Sequence, residues 1–375
     1  MAVPEIIVAR VTRLEPPTPS AAPGGVIHFD NGQTARPDPS HPHSAYYVKL
    51  LSDLQTMSWP AYVERDAASQ TIVRVLMPLV GRVVGIAAEA SGDLAVRFEP
   101  SCAVHHLRKS NPNFAAVEQN LRGALAEKTR VILTATADQQ IVDARPDPAP
   151  SGGRGASADV GDNTFPITEG YATIDQTNAA FQTVSDMSCS ATVQPVNPPG
   201  CIPFLYVANG CWDRAQAMCD ALQESNSSLS VNKLWLFGQL SACTVNFPTC
   251  RVEFSWHVAV AVQVRDGNST EWMVIDPAFF DAAVSLETCL SFFSATTATQ
   301  KVFTNAQAFY PMDTNSGTFY TEQNARYGLG CVNFWLYFLD TALYNLSTIF
   351  TDSNNNNQPY GPPPYNHAPY NCSCP

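Results

Sequence analysis

The chain of 375 residues carries 21 basic and 33 acidic side chains, a net charge of −12, which argues against a nucleic-acid partner because phosphate binding needs clustered Lys and Arg. Its length exceeds the roughly 250–300 residues at which single cores stop growing, and at 45% hydrophobic it has the material for two. No run approaches the roughly 18 apolar residues of a membrane span, so a soluble, acidic protein with no membrane partner is expected.

The opening Met1-Ala-Val-Pro-Glu-Ile-Ile-Val-Ala-Arg10 lacks the basic region and apolar stretch of a signal peptide. Residues 1–44, rich in Pro, Gly, Ser and Ala, predict an irregular lead-in. Residues 45–148 predict a small α+β module. In it Thr71–Leu79, Arg82–Ala87 and Asp93–Phe98 read as strands. Ser110-Asn-Pro-Asn113 then supplies a helix start, followed by Phe114, Val117, Leu121 and Leu125 at helical spacing. Arg130–Thr136 and Gln140–Arg145 predict a closing hairpin. Residues 149–164 are a linker by composition, open to proteases. A second domain is expected over 165–352, and 353–375 is an Asn/Pro/Tyr-rich tail.

Charge and cysteine divide along the same line. Residues 1–150 sum to −1 and residues 151–375 to −11; of 11 cysteines, only Cys102 precedes Cys189. That concentration suits an exported domain stapled by disulfides. Export implies either a leader missing from this sequence or a route it does not show. Cys189 with Cys201 and Cys243 with Cys250 are the easiest local pairs, and Cys331 is assigned to the tail, where Cys372 lies. No pair of C-x-x-C motifs is present, so no metal is expected. Cys102-x-x-His105-His106 has metal-like residue types but no partner pair, and reads as a local polar turn. No phosphate loop or dinucleotide fingerprint is present, so no cofactor is expected.

Chemistry concentrates in the second domain. Asn209-Gly210 is a turn pair before a helical stripe of Cys211, Ala215, Met218 and Leu222. A helix N-terminus favours the thiolate, and its N–H groups can hold an oxyanion. Read alone, Cys211 would be one more disulfide partner. From Phe254 to Arg265 bulky apolar and smaller residues alternate strictly, as in a strand. His257 sits on the smaller face, where a helix carrying Cys211 has room. Asp266-Gly267 signals a hairpin, with a second strand from Ser269 to Asp276. A two-residue loop pairs Arg265 with Asn268 and sets His257 opposite Asp276. A four-residue loop shifts the pairing to Ala278 and leaves Asp276 diagonal to His257. In either register a carboxylate can orient the imidazole.

Three stretches, Gly210-Cys211-Trp212-Asp213-Arg214-Ala215, Ser255-Trp256-His257-Val258-Ala259 and Val274-Ile275-Asp276-Pro277-Ala278-Phe279-Phe280, resemble the bacterial protein-glutaminases, with Leu236-Phe237-Gly238 between the first two. Trp212-Asp213 and Cys219 depart from the family's usual pattern. The resemblance implies an α+β fold with a papain- or transglutaminase-like core. Cys211 is then the nucleophile, His257 the general base and acid, and Asp276 the orienting carboxylate. Gly210, Trp212, Ser255 and Trp256 complete the candidate oxyanion and substrate-binding set. The resemblance further implies a secreted monomer acting on glutamine in proteins or peptides. Residues 45–148 would be an intramolecular pro-domain, removed by a processing protease at the linker. Alternatives sharing the triad are a transglutaminase or a cysteine protease. From another class comes a disulfide-rich binding module with a vestigial triad.

Overall fold

The computed structural model describes residues 4–16, 25–41, 43–99, 101–136, 138–148, 165–189, 201–244, 246–247, 250–267, 269–313 and 318–320. They form a mixed α/β protein of antiparallel sheets with few helices, divided into two units. No helix among the described residues is long and apolar enough to cross a membrane. The linker 149–164 and the tail 353–375 lie outside the described residues.

The first unit comprises Met1–Val96, His105–Thr136 and Gln140–Ser151. Strands β1 (Glu5–Glu15), β2 (Val26–Phe29), β3 (Thr34–Ala35), β4 (Pro60–Arg65) and β5 (Ile72–Leu76) form one sheet in the order β3-β2-β1-β4-β5. Helix α1 (Ser44–Thr56) packs on β1 and β4. The lead-in expected to be irregular is thus corrected. Ile7, Ala9 and Val11 alternate as buried residues along β1, and β4 pairs with it from Glu5–Arg65 to Arg10–Pro60. A two-residue period outweighs the surrounding prolines.

Strands β6 (Leu79–Ala88), β7 (Leu94–Phe98), β8 (Val104–Leu107), β9 (Arg130–Ala135) and β10 (Ile141–Pro146) make the second sheet, ordered β10-β9-β6-β7-β8. Helix α2 (Phe114–Glu127) packs on β6, β9 and β10. The expected hairpin is β9–β10. The strand expected over Thr71–Leu79 is interrupted at Met77-Pro78, because proline has no N–H to give the ladder. The polar turn expected at Cys102–His106 is instead the start of β8: alternate residues of Val104–Leu107 are buried, and His106 Nδ1 lies 2.7 Å from Glu89 Oε1.

The second unit comprises Arg97–Val104, Ala137–Gln139 and Gly152–Pro375. It therefore begins before the linker and includes a short segment between β7 and β8. Its elements are α3 (Ile174–Ser185), α4 (Cys211–Ser225), β11 (Asn232–Cys243), β12 (Arg251–Asp266), β13 (Ser269–Ile275), β14 (Val284–Ser285), α5 (Leu286–Phe292) and β15 (Gln300–Asn305), then a hairpin of β16 (Tyr310–Asp313) and β17 (Thr318–Tyr320). The sheet runs β14-β13-β12-β11-β15. α3 starts at a capping box, Thr173 Oγ1 accepting from Gln176 N and Gln176 Oε1 accepting from Thr173 N. α4 packs on β12, with α3 beside it. A disulfide joins Cys189 to Cys201. Cys243 and Cys250 are both disulfide-bonded, and Cys331 and Cys372 lie outside the described residues.

His105 gives the first unit a pH dependence. It is buried in β8, and burial, helped by the neighbouring His106, pulls its pKa down to about 3. The unfolded chain takes up this proton near pH 6.5, the folded protein only far lower, so the contribution is present above that pH and lost as pH falls. Between pH 7 and pH 5 this one group should cost about 2 kcal/mol. Urea midpoints of His105→Leu should fall less over that interval than those of the wild type; identical falls would exclude the assignment.

Candidate active site

β12 is paired with β11 along one edge from Arg251 to Ala261, but its ladder with β13 begins only at Val260–Ile275. The hairpin register is Asp266–Ser269 and Arg265–Thr270, two residues from the Arg265–Asn268 pairing and the second of the two registers expected, with Gly267 at φ 58° in the turn. The diagonal relation follows. β13 ends one residue before Asp276, and His257 Nε2 and Asp276 Oδ2 are 2.8 Å apart. Asp276 Oδ1 accepts from Ala278 N at 3.2 Å, which fixes the carboxylate as the chain turns.

His257 is 1% exposed, and its ring lies 4.3 Å from that of Phe293, with Phe254 at 5.4 Å and Phe279 at 5.5 Å between centroids. Burial lowers its pKa, while the hydrogen bond and charge of Asp276 oppose that fall. With Nε2 engaged, Nδ1 makes no hydrogen bond among the described residues. Nδ1 is thus the nitrogen left for proton exchange.

Gly210 adopts φ 75° and starts α4, a left-handed conformation that costs a side-chain-bearing residue about 1–2 kcal/mol. Cys211 is the first helical residue. Its sulfur accepts from the Val258 N–H, which brings it to the strand position next to His257. α4 does not use the small face of β12, as expected from the alternation. Lys233 Nζ donates to Gln216 Oε1 of α4, Lys233 pairs with Val260, and Trp212 packs on Trp256 with ring centroids 5.6 Å apart. The helix therefore covers the bulky face. Its own small buried residues, Ala215 and Cys219, give the close approach.

The segment 97–104 runs through this site. Ala103 bridges Phe254 on the edge that β13 leaves open. The Cys102 carbonyl accepts from Ser255 N at 2.8 Å and from Ser255 Oγ at 3.2 Å. Tyr310 Oη donates to the Glu99 carbonyl at 2.6 Å, and Tyr310 stands edge-on to Trp212 and Trp256. Trp212 and Trp256 thus form an aromatic floor, and Ser255 grips a main-chain carbonyl. The Cys102 thiol donates to Asn209 Oδ1 at 3.3 Å, an oxygen that also accepts from the Gly210 N–H at 2.9 Å, and it interacts with the Cys211 thiol and N–H.

Electrostatics run against the expected thiolate. Burial, then the Cys102 thiol, push the Cys211 pKa well above its usual value, and the Arg214 charge opposes them. For Cys102, burial is outweighed by the hydrogen bonds from Cys211 and Gly210 and by Arg214, so its pKa is lowered. Cys211 is 1% exposed, too dry for the helix N-terminus to prevail.

All three motifs fall in one stretch, residues 177–292, that matches the family model described as Glutaminase. This segment is glutaminase-like. Similar solved structures include a crystal structure of pro-protein-glutaminase, 21% identical, covering 70% of this chain and 93% of that one with a TM-score of 0.47. They also include a crystal structure of protein-glutaminase, 24% identical, covering 43% and 85% with a TM-score of 0.35. The NMR structure of protein-glutaminase from Chryseobacterium proteolyticum is 24% identical and covers 42% and 84%, with a TM-score of 0.34. No curated protein matches the chain.

Two residues of the glutaminase-like segment stand in the sequence motifs without an expected role, Asn209 and Arg214. Arg214 is buried, and its Nη1 donates to the Tyr206 carbonyl at 2.6 Å and the Asn209 carbonyl at 2.8 Å. It lies three residues after Cys211, and a charged residue on the buried side of a helix was the available signal. Arg214→Met strands those carbonyls and should cost about 2–3 kcal/mol in chemical denaturation. A loss below about 0.5 kcal/mol would show that they find other donors.

Proposed function

We propose that the chain is the precursor of a protein-glutamine deamidase, hydrolysing the side-chain amide of glutamine in proteins or peptides. The observation that carries this reading is the His257–Asp276 pair beside the helix-starting Cys211, all within the segment that matches the glutaminase family model.

The roles follow from position. Cys211 gives its proton to His257 Nδ1, and the thiolate attacks the carboxamide carbon. Asp276 at Nε2 holds the ring and stabilises its charged form. The oxyanion takes the place of the Cys102 sulfur, facing the N–H of Cys211 at the start of α4. Protonated His257 passes its proton to departing ammonia. Water, deprotonated by His257, opens the thioester and leaves glutamate. Ser255, from its grip on the Cys102 carbonyl, is assigned to the substrate's main chain.

The segment 97–104 stands where substrate must lie, which supports an inhibitory N-terminal region released at the linker. The Cys189–Cys201 disulfide supports a secreted protein. A papain- or transglutaminase-like core belongs to the same reading. A transglutaminase would pass the acyl group to an amine, and a protease would cut the main chain.

Ammonia release from a glutamine-containing peptide, before and after cutting between residues 149 and 164, tests the proposal. Cutting should raise activity and expose Cys211 to alkylation. Cys211→Ala should abolish ammonia release, and Asp276→Asn should lower kcat by about 10²–10⁴-fold. Cross-linking or peptide cleavage in place of ammonia would move the assignment to a rival. Full activity in Cys211→Ala would remove the nucleophile.

A further inference from the structure

We propose that Cys102 and Cys211 form a redox latch: a reversible disulfide between the covering segment and the nucleophile that keeps the site shut after the linker is cut. The inference rests on Cys211 being the nucleophile and 97–104 its cover.

Among the described residues Cys102, Cys211, Cys219 and Cys289 are free thiols. Cys102 and Cys211 are hydrogen-bonded to each other through their thiols. Residues 97–104 hold Cys102 in place through Ser255, Asn209 and Tyr310, and the bridge from Ala103 to Phe254 fixes its backbone. The Cys102 sulfur, 3.3 Å from Asn209 Oδ1, stands at the start of α4 beside Cys211, and a disulfide would bring the two sulfurs to ~2.05 Å. Cys219, in contrast, is a buried thiol whose pKa burial raises to about 11, and it lies two turns along α4 from Cys211.

The chemistry balances with a small disulfide as oxidant. The Cys102 Sγ–Cys211 Sγ bond forms, both S–H bonds break, and the external S–S bond is reduced to two thiols that carry the two protons. The acidity of Cys102 assists: of the pair its sulfur is the readier thiolate, and it attacks the mixed disulfide on Cys211. In the latched state Cys211 has no free sulfur, and the cover is covalently held. Cutting the linker then leaves an inactive protein, and a reducing thiol releases it. Proteolysis and reduction become two separate conditions for activity.

The test uses the full chain, exposed to oxidised glutathione, quenched in acid, alkylated after unfolding and mapped as peptides. A Cys102–Cys211 linked peptide, two hydrogens lighter than the separate pair, is expected. The same oxidised protein, cut at the linker, should release no ammonia until dithiothreitol is added. Cys102→Ser, oxidised and cut in the same way, should be active and gain nothing from reductant beyond reversal of any glutathione adduct seen in the map. Both cysteines recovered fully alkylated after oxidation would overturn the latch. So would a linked peptide in a cut protein that is active without reductant. If reduced, cut wild type releases no ammonia, the enzymatic reading fails, while the linked peptide still decides whether the bond forms.

Discussion

The site depends on where one β-ladder stops. β13 leaves β12 after the Val260–Ile275 pair, so residues 254–259 keep β11 on one edge and lose their neighbour on the other. Everything of chemical interest enters through that open edge. Asp276 turns in to meet His257, the Cys211 sulfur takes the Val258 N–H, and Ala103 bridges Phe254. Had the pairing continued, β13 would occupy the place of both Cys211 and the segment 97–104. An unpaired strand edge is ordinarily a liability for aggregation. Here it is filled from within the chain.

Burial governs the electrostatics that follow. It raises the Cys211 thiol and lowers the His257 imidazole, so both effects disfavour the thiolate–imidazolium pair. The Cys102 hydrogen bond adds to the first, and the Arg214 charge opposes it. Burial thus disfavours the Cys211–His257 ion pair without any distortion of its residues. In the proposed mechanism, removal of the cover changes two things together: water reaches the site, and Cys211 loses its thiol partner. Geometry stays in place while the protonation balance moves. That separates a preorganised site from an active one.

The legible parts of the sequence were those with a strict local period. The alternation of Phe254–Arg265, the stripe Cys211-Ala215-Met218-Leu222 and the Phe114–Leu125 spacing each specify one element, and β12, α4 and α2 stand there. The Cys189–Cys201 pair was legible because a short loop limits the choice of partners. The misreadings all involve a choice between near-equal local rules. Asp266-Gly267 marks a turn but does not say whether its central pair is 266–267 or 267–268, and the register shifts by two. Prolines between residues 16 and 39 hid β1, whose alternation of Ile7, Ala9 and Val11 is short. Small residues on one face of β12 pointed to the wrong helix contact, because a close approach can come from either surface and α4 supplies it.

Cys102 was illegible for a different reason. Its neighbours in sequence are His105 and His106, which invite a local reading, while its partners in space lie more than a hundred positions away at Asn209 and Cys211. Nothing periodic announces such a contact. The residue type is nonetheless informative once the place is known. The position beside Asn209 and the first N–H of α4 favours a polar side chain, and an alkyl group there would leave the Cys211 N–H without a partner in a dry pocket. The sulfur donates to Asn209 Oδ1, which the Gly210 N–H also reaches, and it can accept from the Cys211 N–H. A carboxamide would satisfy them better, but in the proposed mechanism it would also be a substrate. A thiol therefore serves Asn209 and the start of α4, resists hydrolysis and remains open to exchange with the sulfur beside it.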